Sequence, residues 1–223
     1  MQIFWHGLSC VRIEASYGDT EATLVTDPYG SDTGLRFPRT LKPDVVALTH
    51  QDREMFAMDA FSAEGGSASG GENEPFVIDN PGEYEVSGIF DYAIPVRTAD
   101  ESRPHHMMHR FEVEGMSIGF LGNLKRPLTD EEIAKLGNID ILLLPVGGGD
   151  HITAKQAVEI IKLVEPRVVV PLAYHVEGLK KELGTADAFC KELVCKRQDA
   201  NKLKITKKDL PSDDLVVTVL ERA

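Results

Sequence analysis

The order of apolar runs and amphipathic segments in the second half of the chain constrains the fold more than any other feature. Residues 139–146, IDILLLPV, form a continuous apolar run typical of a strand buried on both faces. Residues 153–166, TAKQAVEIIKLVEP, carry apolar residues at helical spacing and end at a proline. Residues 167–174, RVVVPLAY, form another buried strand. Strand, helix and strand in this order predict layered sheets covered by helices.

The first half is predicted to be rich in strands, since short β-branched and aromatic segments alternate with turns. Residues 107–123 predict a hairpin, and residues 53–63 predict a short helix. Residues 64–74, EGGSASGGENE, predict a surface loop. Further on, a helix is predicted from Thr129, with Glu132 as its capping-box partner and Gly137 as its end. Residues 177–193 are predicted to be helical as well, and residues 213–221 to form a last strand.

The segment THQDREMF, residues 49–56, has the appearance of a metal site. It follows the apolar run DVVAL and places His50, Asp52 and Glu54 at alternate positions where a strand is predicted to end. Imidazole and carboxylate groups are common ligands of zinc. A metal ion needs three or four protein ligands, so the distant partners of these residues decide the interpretation.

Several short segments, in their order, resemble the metallo-β-lactamase superfamily, in the branch of small bacterial and archaeal proteins similar to ascorbate-6-phosphate lactonase. The resemblance covers nearly the whole chain. It implies an α/β fold, a four-layer αββα sandwich of two mixed sheets, in a single domain of residues 1–223. Family members hold zinc or manganese ions with His and Asp side chains, and the ions activate water for hydrolysis. The segments that carry the resemblance are GLSC, TDPY, VIDNPGEYEVSG, FLGN and DILLLPVGG.

This chain departs from the family at most of the positions that hold metal. In the family's first motif, H-x-H-x-D-H, only His50 is retained, while Asp52, Glu54 and Met55 take the other places. The bridging Asp of the family corresponds to Asn123, whose amide lacks the negative charge of a good bridging ligand. The remaining histidines of the branch fall on Leu8, on Thr98 or Ala99, and on Ala173.

A relocated metal centre is the alternative interpretation. His6 lies two residues before Leu8, and His175 lies two residues after Ala173. A shift of two residues keeps a side chain on the same face of a strand, so both histidines are candidates to join His50 and its neighbours. The candidate zinc or manganese ligands are then His50, Asp52, Glu54 and His175, with His6 beside them.

Three other patterns carry weaker signals. The HHMMH tract, residues 105–109, is interpreted as the polar start of a strand with His105, Met107 and His109 on one side, because no carboxylate motif accompanies it. Residues 147–149, GGG, precede a helix and favour a tight connection over an anion site, with Asp150 and His151 near a substrate entrance. Nucleophilic catalysis by Ser9 or Cys10, with His6 or His50 as base and Asp27 as orienting acid, is not favoured.

Charge and cysteine content limit the partners and the compartment. The formal net charge of −12 disfavours nucleic acid and anionic membranes as partners. Three cysteines without CxxC spacing suit a reducing compartment, and Cys190 and Cys195 are expected to pack rather than to act in redox chemistry. The N-terminal residues show neither a basic leader nor a long apolar stretch, so we expect a cytoplasmic protein.

Two functions are therefore weighed. The favoured one is a metal-free, non-catalytic relative that uses the scaffold to bind a small molecule or a protein, or to assemble; the vestigial site is marked by His50, Asp52, Glu54 and Asn123. The alternative is a metal-dependent hydrolase with a rebuilt zinc or manganese site. Because family members often assemble, a homo-oligomer is compatible with the resemblance, although no segment marks an interface.

Overall fold

The chain folds into two β-sheets around a buried apolar layer, in a computed structural model that describes residues 1–38, 40–61, 74–97, 106–197 and 200–223. The described strands are β1 (Gln2–Gly7), β2 (Cys10–Tyr17), β3 (Thr20–Thr26), β4 (Val45–Ala47), β5 (Phe76–Ile78), β6 (Gly82–Val86), β7 (Ile89–Val96), β8 (His106–Val113), β9 (Met116–Phe120), β10 (Ile141–Pro145), β11 (Val168–Leu172), β12 (Cys195–Arg197), β13 (Lys202–Lys204) and β14 (Val216–Val219).

Each sheet combines parallel and antiparallel neighbours. The first sheet has the order β13-β1-β2-β3-β4-β5, and the second has the order β12-β14-β11-β10-β9-β8-β7-β6. Strands β3, β4 and β5 are parallel to one another, and so are β9, β10, β11 and β14. Between the sheets lie large buried side chains such as Trp5, Phe111 and Phe120. The mixed two-sheet architecture confirms the predicted fold class.

Three described α-helices accompany the sheets: α1 (Asp130–Leu136), α2 (Ala154–Val164) and α3 (Ala186–Cys190). Helix α1 begins with the predicted capping box of Thr129 and Glu132 and ends at Gly137. The apolar face of α2 is buried, as the periodicity predicts. No helix of the described residues is long and apolar enough to cross a membrane.

Two segments are less helical than predicted. In place of a helix over residues 53–63, the structure has short 3-10 turns at Arg53–Met55 and Met58–Phe61. In place of a helix over residues 177–193, it has a loop followed by α3 alone. The loop is held by tertiary hydrogen bonds, because Lys180 N–H donates to the Thr33 carbonyl and Gly184 N–H donates to the Gly147 carbonyl. These contacts outweigh local helix propensity. The predicted surface loop over residues 64–74 lies almost entirely outside the described residues.

The cysteines also differ from the expectation of packing alone. Cys190, at the end of α3, forms a disulfide with Cys195 in β12, with their Cα atoms 5.4 Å apart. Cys10 is buried and free. The pair joins α3 to an edge strand of the second sheet.

The carboxyl ends of the parallel strands place their following residues along one edge, where the two sheets meet. Met107 N–H in β8 donates to the Thr49 carbonyl beyond β4 at 2.8 Å. Ala173 N–H beyond β11 donates to the Leu8 carbonyl beyond β1 at 2.9 Å. The backbone therefore joins the two sheets where the sequence predicts a site.

Candidate functional site

A pocket of about 180 Å³ lies at this edge. Its floor is polar and comes from the ends of separate strands: Ser9 from the β1–β2 turn, Asp27 after β3, Asn123 after β9 and His151 between β10 and α2. Its apolar wall and its charged rim are formed by other loops. Tyr29, Met55 and Phe56 belong to the wall, and Lys125, Lys181, Asp32 and Asp150 belong to the rim.

Asn123 connects the floor of the pocket through hydrogen bonds to four side chains. Its Nδ2 donates to Asp27 Oδ2 at 3.0 Å and to Thr49 Oγ at 3.2 Å. Its Oδ1 accepts from Ser9 Oγ at 3.2 Å and lies 3.1 Å from His151 Nε2. One amide therefore uses both its donor and its acceptor atoms to join residues from both sheets.

Asp27 is buried beneath this amide and accepts hydrogen bonds from three groups. The Thr49 backbone N–H donates to Oδ1 at 2.8 Å, and the Thr49 hydroxyl donates to Oδ2 at 2.7 Å. The third donor is the Asn123 amide. Burial raises the pKa of Asp27 to about 7, although the bonds from Thr49 and the charge of His109 oppose the shift. Asp27 therefore titrates close to neutral pH.

Backbone strain is concentrated beside the pocket. Of the six non-glycine residues with positive φ among the described residues, Ser87, Glu114 and Glu165 lie in hairpin turns or at a helix end. The other three, Leu8, Asp27 and Ala173, each follow directly after the last residue of a strand, with φ of 49°, 37° and 48°. Strained backbone of this kind persists where the surroundings fix it, and it clusters at functional sites.

The loop that carries the candidate ligands is stabilised by its own hydrogen bonds. His50 Nδ1 accepts from the Asp52 backbone N–H at 3.1 Å, and Asp52 Oδ1 accepts from the Glu54 N–H at 3.0 Å. Burial lowers the pKa of His50, Asp52 opposes this, and Lys125 adds to it. His50, Asp52 and Glu54 do not line the pocket, whereas Met55 does.

The resemblance-bearing segment VIDNPGEY holds that loop in place. Asp79 pairs with Arg53, and Asn80 Oδ1 accepts from Gln51 Nε2 at 3.0 Å. Tyr84 in turn donates to the Asn80 carbonyl at 2.9 Å. The segment therefore contributes to loop geometry around residues 50–55.

His6 and His175 are not brought to the pocket. His6 is buried in β1, where burial and then the charge of Arg12 lower its pKa to about 4. His175 is exposed, and its backbone N–H donates to Gly184. Thr98 and Ala99, the other candidate positions, lie outside the described residues.

The donor atoms near Asn123 do not fit a zinc or manganese ion. Within the part of the chain that the structure describes, no group of three or more His, Cys, Asp or Glu side chains is placed to hold a metal. At the floor, the Asn123 N–H groups point to Asp27 and Thr49, and N–H donors cannot coordinate a cation. The candidate ligands His50, Asp52, Glu54 and His175 are thus not assembled in this conformation.

Beneath the site, His109 and Asp91 form a buried pair that the sequence interpretation missed. His109 Nδ1 lies 2.8 Å from Asp91 Oδ2, and His109 Nε2 lies 3.0 Å from the Leu48 carbonyl oxygen. Burial lowers the pKa of His109, but the Asp91 carboxylate and then the Leu48 carbonyl reverse the effect, so the pKa is raised. The predicted strand is confirmed from His106 onward. His109, however, is not just a polar residue at the start of the strand, because its ring contacts Asp91 and the Leu48 carbonyl. His105 lies outside the described residues.

A family profile and several relatives match the chain. The profile described as the beta-lactamase superfamily domain matches residues 2–173. A UPF0173 protein of Pyrococcus abyssi is 25% identical over 215 residues, which cover 88% of this chain and 92% of that protein. A protein of Thermoplasma acidophilum named UPF0173 metal-dependent hydrolase is 22% identical over 199 residues, which cover 78% of this chain and 84% of that protein.

Solved structures share the architecture. A Thermotoga maritima protein, described as a Zn-dependent hydrolase of the metallo-beta-lactamase superfamily, superposes with a TM-score of 0.75 and 29% identity. The superposition covers 99% of this chain and 100% of that protein. The likeness therefore extends over both sheets and over the edge that carries the pocket.

Proposed function

Since the chain belongs to the beta-lactamase superfamily, whose matched relatives include proteins named metal-dependent hydrolases, we propose that it is a metal-free relative that binds a small molecule. In this proposal the binding site is the pocket around Asn123. The chain uses the family's fold and the family's edge of the sheets, but it does not use a metal ion to organise them. The finer relationship, to the ascorbate-6-phosphate lactonase branch, is part of the same proposal.

The observation that carries this proposal is the hydrogen bonding of Asn123. A bridging metal ion would draw lone pairs of several side chains toward one point. Here the amide bonds Asp27, Thr49, Ser9 and His151 to one another directly. Direct hydrogen bonds therefore do the cross-linking that an ion would do in a relative with a carboxylate at this position.

The other substituted positions support the same conclusion. Met55 is 56% exposed, and its thioether is a poor ligand for zinc or manganese. Ala173 has no donor atom in its side chain. Losing ligands at several positions is easier than rebuilding a set that converges on one point.

Elemental analysis of gently purified protein tests the proposal directly. We expect far less than one equivalent of zinc or manganese per chain, and we expect a melting temperature that neither added metal nor a chelator changes. Stoichiometric zinc or manganese that raises the melting temperature would overturn the proposal.

The names of the relatives favour one alternative, a metal-dependent hydrolase with a rebuilt site. It requires that His50, Asp52, Glu54 and His175 move together, with His6 in support. His50→Ala should then remove both bound metal and the stabilisation by added metal. If the variant and the parent protein have the same metal content and the same thermal response, the alternative fails.

A further inference from the structure

The rim of the pocket carries two ammonium groups. Lys125 and Lys181 both line it. Burial lowers the pKa of His50, of His106 and of His151, and the charge of Lys125 lowers each of them further. Lys125, which lines the pocket, therefore lies close enough to these three histidines for its charge to act on each of them.

The carboxylates of the pocket leave this positive charge partly uncompensated. Asp27 accepts from three donors inside the protein and is buried. Asp150 lies 3.2 Å from Lys181, but both side chains are well exposed, and exposed pairs of this kind contribute little. Asp32 is exposed on the same rim. A ligand anion can therefore compete with Asp150 for Lys181, and Lys125 forms no ion pair with the described residues.

His151 has an unsatisfied ring nitrogen. His151 is 6% exposed, and its Nε2 faces Asn123 Oδ1, which only accepts, so Nε2 carries the hydrogen. Burial, followed by the charge of Lys181, lowers the pKa of His151 to about 4, so near neutral pH Nδ1 holds a bare lone pair. Nδ1 is buried and has no partner among the described residues. The nearby Gly148 carbonyl already accepts the His151 backbone N–H and is itself an acceptor, so it cannot satisfy that lone pair.

We propose that the pocket binds a small oxyanion, a carboxylate or a phosphate group, between Lys125 and Lys181, and that His151 takes up one proton from solvent when the anion binds. The inference deepens the proposed function and rests on it, because the site it describes contains no metal ion. The anion offsets the two ammonium charges that disfavour an imidazolium ion. The proton adds to the lone pair of Nδ1, after which both ring nitrogens are donors. The lone pair of Nδ1 then no longer faces the lone pairs of the Gly148 carbonyl oxygen.

The wall of the pocket suits the remainder of such a ligand. Tyr29, Phe56 and Met55 offer apolar surface beside the two lysines. With a volume of about 180 Å³, the pocket is below the usual size of drug-like sites. The ligand is therefore a small organic acid or a small phosphate ester rather than a polymer.

Titration with sulfate, whose charge does not change over the pH range tested, measures the binding and the proton uptake together. The C2–H resonance of His151, assigned with a His151→Gln variant, reports both. We expect saturable shifts beyond those caused by potassium chloride at equal ionic strength, a higher pKa of His151 at saturation, and affinity that falls as pH rises through that higher pKa. Acetate and methyl phosphate at neutral pH then show whether a carboxylate or a phosphate group binds more tightly.

Charge variants test the location. Lys125→Gln and Lys181→Gln should each weaken sulfate binding about tenfold. Asp150→Asn should strengthen it, because it removes the competitor for Lys181. Lys162→Gln on α2 changes the net charge equally, at an exposed residue outside the pocket, and should leave the affinity unchanged. If Lys125→Gln and Lys162→Gln weakened sulfate binding equally, the proposed location of the anion between Lys125 and Lys181 would be wrong.

Metal analysis of the same sample separates this inference from the proposed function. If the protein is metal-free and sulfate causes no more change than chloride, the inference alone fails. If sulfate binds but the pKa of His151 does not rise, the proton uptake fails. If the protein holds stoichiometric metal and a chelator abolishes sulfate binding, the proposed function fails together with the inference.

Discussion

Nδ1 of His109 and Oδ2 of Asp91 lie 2.8 Å apart in the buried layer between the sheets, with 0% and 1% of the two residues exposed. The other ring nitrogen faces the Leu48 carbonyl oxygen, which is also an acceptor. Against the Asp91 carboxylate, both contacts are hydrogen bonds when both nitrogens carry hydrogen, and the raised pKa of His109 favours this imidazolium form. His109 therefore holds the Leu48 carbonyl in place. The next residue, Thr49, donates two hydrogen bonds to Asp27.

Asp91→Asn should destabilise the protein by about 3–5 kcal/mol, because a buried charge would lose its partner. Urea-induced unfolding at neutral pH measures the change. Glu83→Gln removes an exposed carboxylate from neighbouring β6 and should change the free energy of unfolding by less than about 0.5 kcal/mol. Similar values for the two variants would show that His109 is neutral and that Asp91 does not act as its counter-charge.

The elements that the sequence predicts well are those that depend on local interactions. Thr129 and Glu132 identify the start of α1, because both partners of a capping box lie within one turn. The bonds of Asn123 are different, since they join it to residues 114, 96 and 74 positions away in the chain. The sequence marks Asn123 as part of a site, but only the fold shows which groups it connects.

The expected approach of His6 and His175 depends on regular alternation along a strand, and the backbone does not provide it. The pairing of β1 with β2 is irregular between Trp5 and Gly7. Leu8 and Ala173 both have left-handed backbones, which break the two-residue repeat on which a shared face depends. The sequence does not reveal the partner of His109 for another reason: Asp91 lies on the adjacent strand β7, and no local pattern joins the two residues.

Asn123→Asp should destabilise the protein by about 1–3 kcal/mol, because two N–H donors are lost and a second carboxylate faces Asp27. The loss should be larger at pH 8 than at pH 5, since acid protonates one of the two carboxylates. Thermal unfolding at both pH values, with and without zinc, measures it. The exposed Asn201→Asp is the matched control. A variant as stable as the control would contradict the role of Asn123 in joining the floor.

Gly122→Ala should cost about 3 kcal/mol or more, combining overpacking with left-handed backbone strain. Gly122 has φ of 47°, and a Cβ there would lie 2.1 Å from Thr49 Cγ2 and 3.0 Å from Asp27 Oδ2. Gly148 has a similar φ of 67° but has no atom within 4 Å of a Cβ, so Gly148→Ala should cost only about 1 kcal/mol. Denaturant unfolding of both variants compares them. Equal losses would mean that crowding at the pocket floor is unimportant.

Asp27 should make a contribution to stability that is lost as pH rises toward neutrality. Its folded pKa, raised by burial to about 7, exceeds the reference value of 3.8, so between these values the folded state binds a proton that the unfolded state releases. The stabilisation is complete below the lower value and is lost as pH rises through the higher one. The raised pKa of His109 acts in the same direction at higher pH. The lowered pKa values of His6, His106 and His151 act in the opposite direction at acid pH, so the contribution of Asp27 is measured as a difference between variant and parent. Asp27→Asn, which tolerates a left-handed backbone, should give a free energy of unfolding in urea that rises more with pH, or falls less, than that of the parent between pH 4 and pH 8, whereas the exposed Asp213→Asn should follow the parent. An unchanged slope in Asp27→Asn would show that Asp27 is ionised throughout this range.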